Sequence, residues 1–129
     1  MQNYIIPNYV SQYQARPAML DFSNLDFKRH AHTNGVQARL DLGNGLEISV
    51  VANDGNGGGL YGDVNDDLYE VAIFNDDGMI PLSPSDDVVG WQSPDQISHL
   101  MAKAQVEGSV WVDDLKEAKS EFRRELDLD

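Results

Sequence analysis

Residues 36 to 52, Val36-Gln37-Ala38-Arg39-Leu40-Asp41-Leu42-Gly43-Asn44-Gly45-Leu46-Glu47-Ile48-Ser49-Val50-Val51-Ala52, decide the fold. Val36, Ala38, Leu40 and Leu42 share one face before Gly43-Asn44-Gly45, and Leu46, Ile48, Val50 and Ala52 share one after it. That two-residue period on either side of a glycine-rich turn predicts a β-hairpin with one buried face. A two-residue Asn44-Gly45 loop would set Leu42 opposite Glu47 and Leu40 opposite Ser49, pairing apolar side chains with polar ones. A three-residue loop, 43 to 45, sets Leu42 opposite Leu46, Leu40 opposite Ile48 and Ala38 opposite Val50, with Gly45 supplying the positive φ of a bulge. The three-residue loop is the expectation.

Working outward, the glycine-rich stretch Asn53 to Asp67 reads as a loop, Leu68 to Phe74 as a third strand and Met79 to Leu82 as a fourth. A four-residue turn, Asn75-Asp76-Asp77-Gly78, then pairs Phe74 with Met79, Ile73 with Ile80 and Val71 with Leu82. Pro81 cannot donate to a central ladder, which puts the fourth strand at an edge or turns that position outward. Ser93-Pro94-Asp95-Gln96 has the marks of a helix start: a Ser cap, Pro at the first helical position and Gln placed to complete a capping box. Ile97, Leu100, Met101 and Ala104 form its apolar stripe and Gly108 its stop. A second helix, capped by Asp113 or Asp114, turns Leu115, Ala118, Phe122 and Leu126 inward, with Arg123 and Arg124 near the C-terminal end of its dipole.

Residues 1 to 35 are rich in aromatics, and Pro7 and Pro17 interrupt any long helix. They suggest a strand near Tyr4 to Val10 and a short helix around Ser23 to Arg29, or else a segment that wraps the surface and anchors through its aromatics. The expectation is a single α+β domain over residues 1–129: an aromatic-rich segment at 1–35, an antiparallel four-stranded sheet at 36–82 that becomes five-stranded if an N-terminal strand joins, and a helical part at 93–127 whose two helices pack on one face.

With 41% hydrophobic residues and a formal net charge of -13, the chain has the apolar content to fold, unlike disordered acidic tails. Cysteine is absent, which removes disulfides and thiolate metal sites and makes a reducing, cytoplasmic setting the simplest expectation. No basic region followed by an apolar run opens the sequence, and no stretch approaches the roughly 18 apolar residues of a membrane span.

The placement of charge says more than its sum. Between Arg39 and Lys103 every charge is negative: Asp41, Glu47, Asp54, Asp63, Asp66, Asp67, Glu70, Asp76, Asp77, Asp86, Asp87 and Asp95. Such a field repels nucleic acid and anionic lipid and attracts basic surfaces. In an up-and-down sheet the loops 53 to 67 and 83 to 87 share one end, so Asp54, Asp63, Asp66, Asp67, Asp86 and Asp87 are the candidate contact surface for a basic partner. Turn chemistry explains each aspartate singly. It explains less well why no Lys or Arg intervenes, since soluble domains usually intersperse both signs.

Three sharper readings compete for these carboxylates. One is nucleic-acid mimicry, with carboxylates spaced like phosphates in a nuclease's basic groove. Another is a Ca²⁺ loop around Asp54, Asp63, Asn65 and Asp67; counted from Asp54, however, the twelfth position is Asn65, and the bidentate Glu of an EF-hand is missing. The third is a shape-specific protein partner that charge only steers.

Signals for catalysis are weak. His30 and His32 have no third ligand at a recognisable spacing, no G-x-S-x-G or P-loop occurs, and aspartates on exposed loops lack the environments that push two carboxyls apart. The expectation is a binding protein without enzymatic activity, metal or cofactor. Trp91 and Trp111 flank the first C-terminal helix and are expected to pack beneath it; an exposed one would be an interface anchor instead.

Gly59-Leu60-Tyr61-Gly62, the strand Leu68-Tyr69-Glu70-Val71-Ala72-Ile73-Phe74 and the step Asp87-Val88-Val89-Gly90-Trp91 into Ser93-Pro94-Asp95 together resemble small acidic proteins of bacteriophages and mobile elements, some of which disarm host restriction or CRISPR nucleases. The resemblance implies an inhibitor of a basic, nucleic-acid-handling host protein acting in the host cytoplasm, and it assigns no functional residue. The alternative is a structural or oligomerising phage accessory protein, homodimeric through a sheet edge or the helices, whose acidity serves solubility.

Overall fold

The hairpin keeps the expected register through a different turn. In the computed structural model, which describes residues 19–126, β2 (Val36–Gly43) and β3 (Leu46–Ala52) pair Ala38 with Val50 and Leu40 with Ile48. Leu46, however, faces Gly43 rather than Leu42, and the register shifts between Asp41 and Gly43. Asn44 and Gly45 both have positive φ, 56° and 74°, as a two-residue hairpin turn of type I′ requires. The bulge at Leu42 supplies the extra residue that keeps both Leu42 and Leu46 in the core. The turn also reaches the helices: Asn44 Nδ2 donates to the carbonyls of Ala104 (3.3 Å) and Gln105 (3.1 Å) near the C-terminus of the first helix. Those are orphan acceptors that a helix end must satisfy.

On the other side of β3 lies β4 (Tyr69–Asn75), followed by β5 (Gly78–Met79), with Phe74 opposite Met79 as the turn predicts. Ile80 still donates to Ile73 O at 2.9 Å. The strand expected to run to Leu82 ends at Met79, because Pro81 has no N–H to continue the ladder. Val71 pairs not with Leu82 but with Val89 of an unforeseen strand, β6 (Val89–Gln92). β5 and β6 thus share the outer edge of β4, while β1 (Lys28–Arg29) closes the opposite edge against β2.

The two helices, α1 (Pro94–Glu107) and α2 (Ser109–Glu125), complete an α+β fold. Ser93 and Gln96 form the expected capping box: Ser93 Oγ accepts from Gln96 N at 3.2 Å and Gln96 Oε1 from Ser93 N at 2.8 Å. The α2 expectation needs correction. The helix begins at Ser109, directly after the break at Gly108, so Asp113 and Asp114 are exposed interior positions rather than caps. Trp111 and Val112 are its buried residues, whereas Leu126 is 51% exposed.

Ile48, Val50, Val71 and Ile73 of the central strands meet Ile97, Met101 and Ala104 of α1 and Trp111 and Val112 of α2 in one core. Each buried large aliphatic side chain stabilises the fold by about 1.5–3 kcal/mol.

The strand expected near Tyr4 to Val10 lies outside the described residues. Residues 23 to 29 hold no α-helix: a 3-10 turn at Phe22–Asn24, capped by Asp21, leads to β1. This segment wraps and anchors. Leu20 exchanges two hydrogen bonds with the Gln105 amide, at 2.9 and 2.7 Å, and Phe22 N donates to Ser98 Oγ at 3.0 Å. Phe22 and Phe27 then enclose the Tyr69 ring, with centroids at 5.1 and 5.3 Å.

The sheet has a second face that the helices do not cover. Ser49, Val51 and Ala72 are buried there, and beside them lies a shallow hollow of ≈ 220 Å³ that Arg39, Glu70 and Phe74 also line. Arg39 lies over the Phe74 ring at 5.3 Å and grips both Glu47 oxygens, at 2.7 and 3.2 Å. These hydrogen bonds hold the Glu47 carboxyl below the usual carboxylate range.

Candidate partner-binding site

Asp54, Asp63, Asp66 and Asp67 all lie in the loop joining β3 to β4, and this loop is built on Asn53. That side chain is only 7% exposed, and both ends of its amide are used: Nδ2 donates to Leu60 O at 2.9 Å and Oδ1 accepts from Leu60 N at 3.3 Å. Its backbone N–H donates to Gly62 O at 2.9 Å and its carbonyl accepts from Val64 N at 3.0 Å. A buried asparagine that bonds through both ends of its amide and both of its backbone groups fixes a glycine-rich loop that would otherwise sample many conformations.

Most of the acidic side chains also shape local backbone. Asp54 Oδ1 accepts from Asn56 N at 3.0 Å, and Asp63 Oδ1 caps the 3-10 turn Val64–Asp66 by accepting from Asn65 N at 2.9 Å. Asp67, in a left-handed conformation at φ 54°, accepts the Tyr69 hydroxyl at 2.9 Å. Burial, aided by this hydrogen bond, pushes the Tyr69 hydroxyl up to about 12. Asp66 projects from the turn as an exposed residue.

Asp86 and Asp87 stand apart from these four. β5 ends at Met79, so the chain leaves the sheet opposite Ile73 and rejoins it at Val89, opposite Val71. The 83 to 87 turn is therefore an excursion from the middle of the β4 edge, not a loop at the strand end. Asp86 Oδ1 accepts from Val88 N at 3.1 Å, and Asp87 pairs with Lys119 of α2 at 3.6 Å.

Between the two acidic groups runs β6, where the sequence reading placed no site residue. Tyr69 faces Gln92 and Val71 faces Val89, so Gly90 and Trp91 together oppose the single residue Glu70. This is a β-bulge, and it decides where Trp91 points. Regular alternation would put Val89 and Trp91 on the same face; the inserted residue re-aims the indole into solvent. Val89 packs on the core, whereas Trp91 is 50% exposed and sits at φ 55°, a left-handed backbone that costs a non-glycine residue about 1–2 kcal/mol. Trp111 alone packs in the core as expected of both tryptophans.

Tyr61 joins Trp91. Its carbonyl accepts from Trp91 N at 2.8 Å, its own N–H donates to Glu70 Oε1 at 2.8 Å, and its side chain is 60% exposed. Gly90 permits this closeness, because a Cβ there would stand 2.5 Å from Tyr61 Cβ. Two exposed aromatics with locked backbones thus sit between Asp54, Asp63, Asp66 and Asp67 on one side and Asp86 and Asp87 on the other. The sequence offered Trp91 as an anchor only if exposed, and the bulge that exposes it depends on Gly90 and Trp91 both opposing Glu70, a pairing that no local pattern announces.

His30 and His32 approach with ring centroids 6.1 Å apart, and His30 Nδ1 accepts from His32 N at 3.1 Å. Among the described residues no three His, Cys, Asp or Glu side chains converge to hold a metal, and no helix is long and apolar enough to cross a membrane. Comparisons of the chain with family models, with curated proteins and with solved structures each find no match.

Proposed function

We propose that this chain is a binding protein that docks a basic, nucleic-acid-handling protein through Trp91, Tyr61 and the flanking carboxylates, acting as an inhibitor like the acidic phage proteins it resembles. The observation that carries the reading is Trp91, aimed into solvent by a bulge in a backbone conformation that folding alone disfavours. Exposed tryptophan on a rigid element is the usual anchor of a protein interface. The carboxylates steer a cationic partner and repel nucleic acid, which makes the partner's nucleic-acid-binding surface the natural target.

The structure supplies a variant that separates charge from turn chemistry. Asn keeps the acceptor oxygen that Asp54, Asp63 and Asp67 use, and Asp66 makes no comparable contact. Asp→Asn at 54, 63, 66 and 67 should preserve the melting temperature and release partners captured from bacterial lysate, which should themselves be basic and elute by about 1 M salt. Acidic partners, or equal capture by the fourfold variant, would contradict the proposal.

The helix-free sheet face favours a second reading, a homomeric interface. Its buried Val51 and Ala72 form a floor that a second copy could cover. A dimer by sedimentation, broken by Phe74→Glu and left intact by Trp91→Ala, would support it.

A further inference from the structure

We infer that Trp91 and Tyr61 are the seat of an arginine side chain from the partner, an assignment that rests on the binding reading above and names the group the partner inserts. The two rings are the large exposed aromatics of this end, and their backbones are tied by the 2.8 Å bond from Trp91 N to Tyr61 O. Glu70 lies opposite the bulge and places its carboxylate against the Tyr61 backbone, bringing an anionic acceptor to the foot of the pair. In the chain both rings fall between Arg39 and Lys103, where every charge is negative.

Exposed aromatic rings in a stretch of chain whose charges are all negative, with the Glu70 carboxylate bonded to the Tyr61 backbone, select for a cation. Within that class they favour guanidinium: its planar face stacks on a ring while its edge N–H groups reach a carboxylate, and it gives up hydration more readily than an ammonium. A neutral aromatic or aliphatic anchor would be poorly served by so acidic a rim, and an anion would be repelled.

The molecule already contains this arrangement once. On the helix-free face Arg39 lies 5.3 Å from the Phe74 ring centroid while its Nε and Nη2 hold the two oxygens of Glu47. There an internal arginine fills the place between ring and carboxylate. At Trp91 and Tyr61 ring and carboxylate are present, and a partner supplies the arginine.

Calorimetric titration of the full chain with nona-arginine and with nona-lysine, at about 0.05 M and about 0.5 M salt, tests this directly. The expected result is that nona-arginine binds about three- to thirtyfold more tightly, that Trp91→Ala narrows this difference by weakening nona-arginine more than nona-lysine, and that Trp91→Phe retains part of it. Equal affinity for the two peptides in the native protein would overturn the arginine seat and leave the acidic surface standing. Failure of both peptides to bind at low salt would remove the arginine seat and the acidic surface together. A Trp91 environment that changes on concentrating the protein alone would identify a second copy as the occupant and overturn the assignment as well. Because the native protein's own preference is the primary readout, the result does not depend on any variant folding.

Discussion

Trp111 and Trp91 stand on either side of α1 and do opposite work. Trp111 is 8% exposed and closes the core between sheet and helices, whereas Trp91 is half exposed on a strained backbone at the sheet edge. The same contrast holds for the regions around them. The helix-covered face is apolar and closed; the β6 end is polar, glycine-rich and tied by hydrogen bonds that Asn53 donates to Leu60 O and that Glu70 accepts from Tyr61 N. One region buries its large side chains in the core, and the other leaves Trp91 and Tyr61 exposed.

Truncation should show the contrast at its largest. Trp111→Ala should destabilise the protein by about 3–5 kcal/mol in urea denaturation, while Trp91→Ala should cost less than about 0.5 kcal/mol. Similar losses at both positions would break the comparison.

Alkaline pH probes the border between the regions, where Tyr69 joins the Phe22–Phe27 cluster to Asp67. Folding raises the Tyr69 hydroxyl from an ordinary value near 10 to about 12, so the native state holds a proton there that the unfolded chain gives up first. Its contribution is complete below pH 10 and is lost as pH climbs toward 12, amounting to about 2–3 kcal/mol. Denaturation midpoints of the native protein should therefore fall more steeply across that window than those of Tyr69→Phe; parallel profiles would contradict a Tyr69 hydroxyl buried on folding.

The two regions were unequally legible in the sequence. Where one face is buried, period-two alternation leaves little freedom, and the pairing of Leu40 with Ile48 and of Phe74 with Met79 followed from matching apolar positions. The α1 start was equally open, because Ser93, Pro94 and Gln96 act within four residues of one another. The α2 start was not: Gly108 ends one helix and begins the next without a capping side chain, so Asp113 and Asp114 looked like the first available caps. β6 has no sequence signal because it is only four residues long, with Val89 and Gln92 in register, and the bulge between them reverses the inference that alternation gives for Trp91. As for the candidate carboxylates, the sequence brought six to one end, whereas the short β5 holds Asp86 and Asp87 on the far side of β6. Most of the six serve turns and caps as well as presenting charge, two roles that composition cannot separate.

The smallest stability effect tests the central claim best. Trp91→Gly removes the exposed indole and relieves the left-handed strain, so its melting temperature should equal or exceed the native value, a gain of up to about 1 kcal/mol, together with weakened binding of nona-arginine. A melting temperature several degrees lower with binding unchanged would show that Trp91 serves the fold and not a partner.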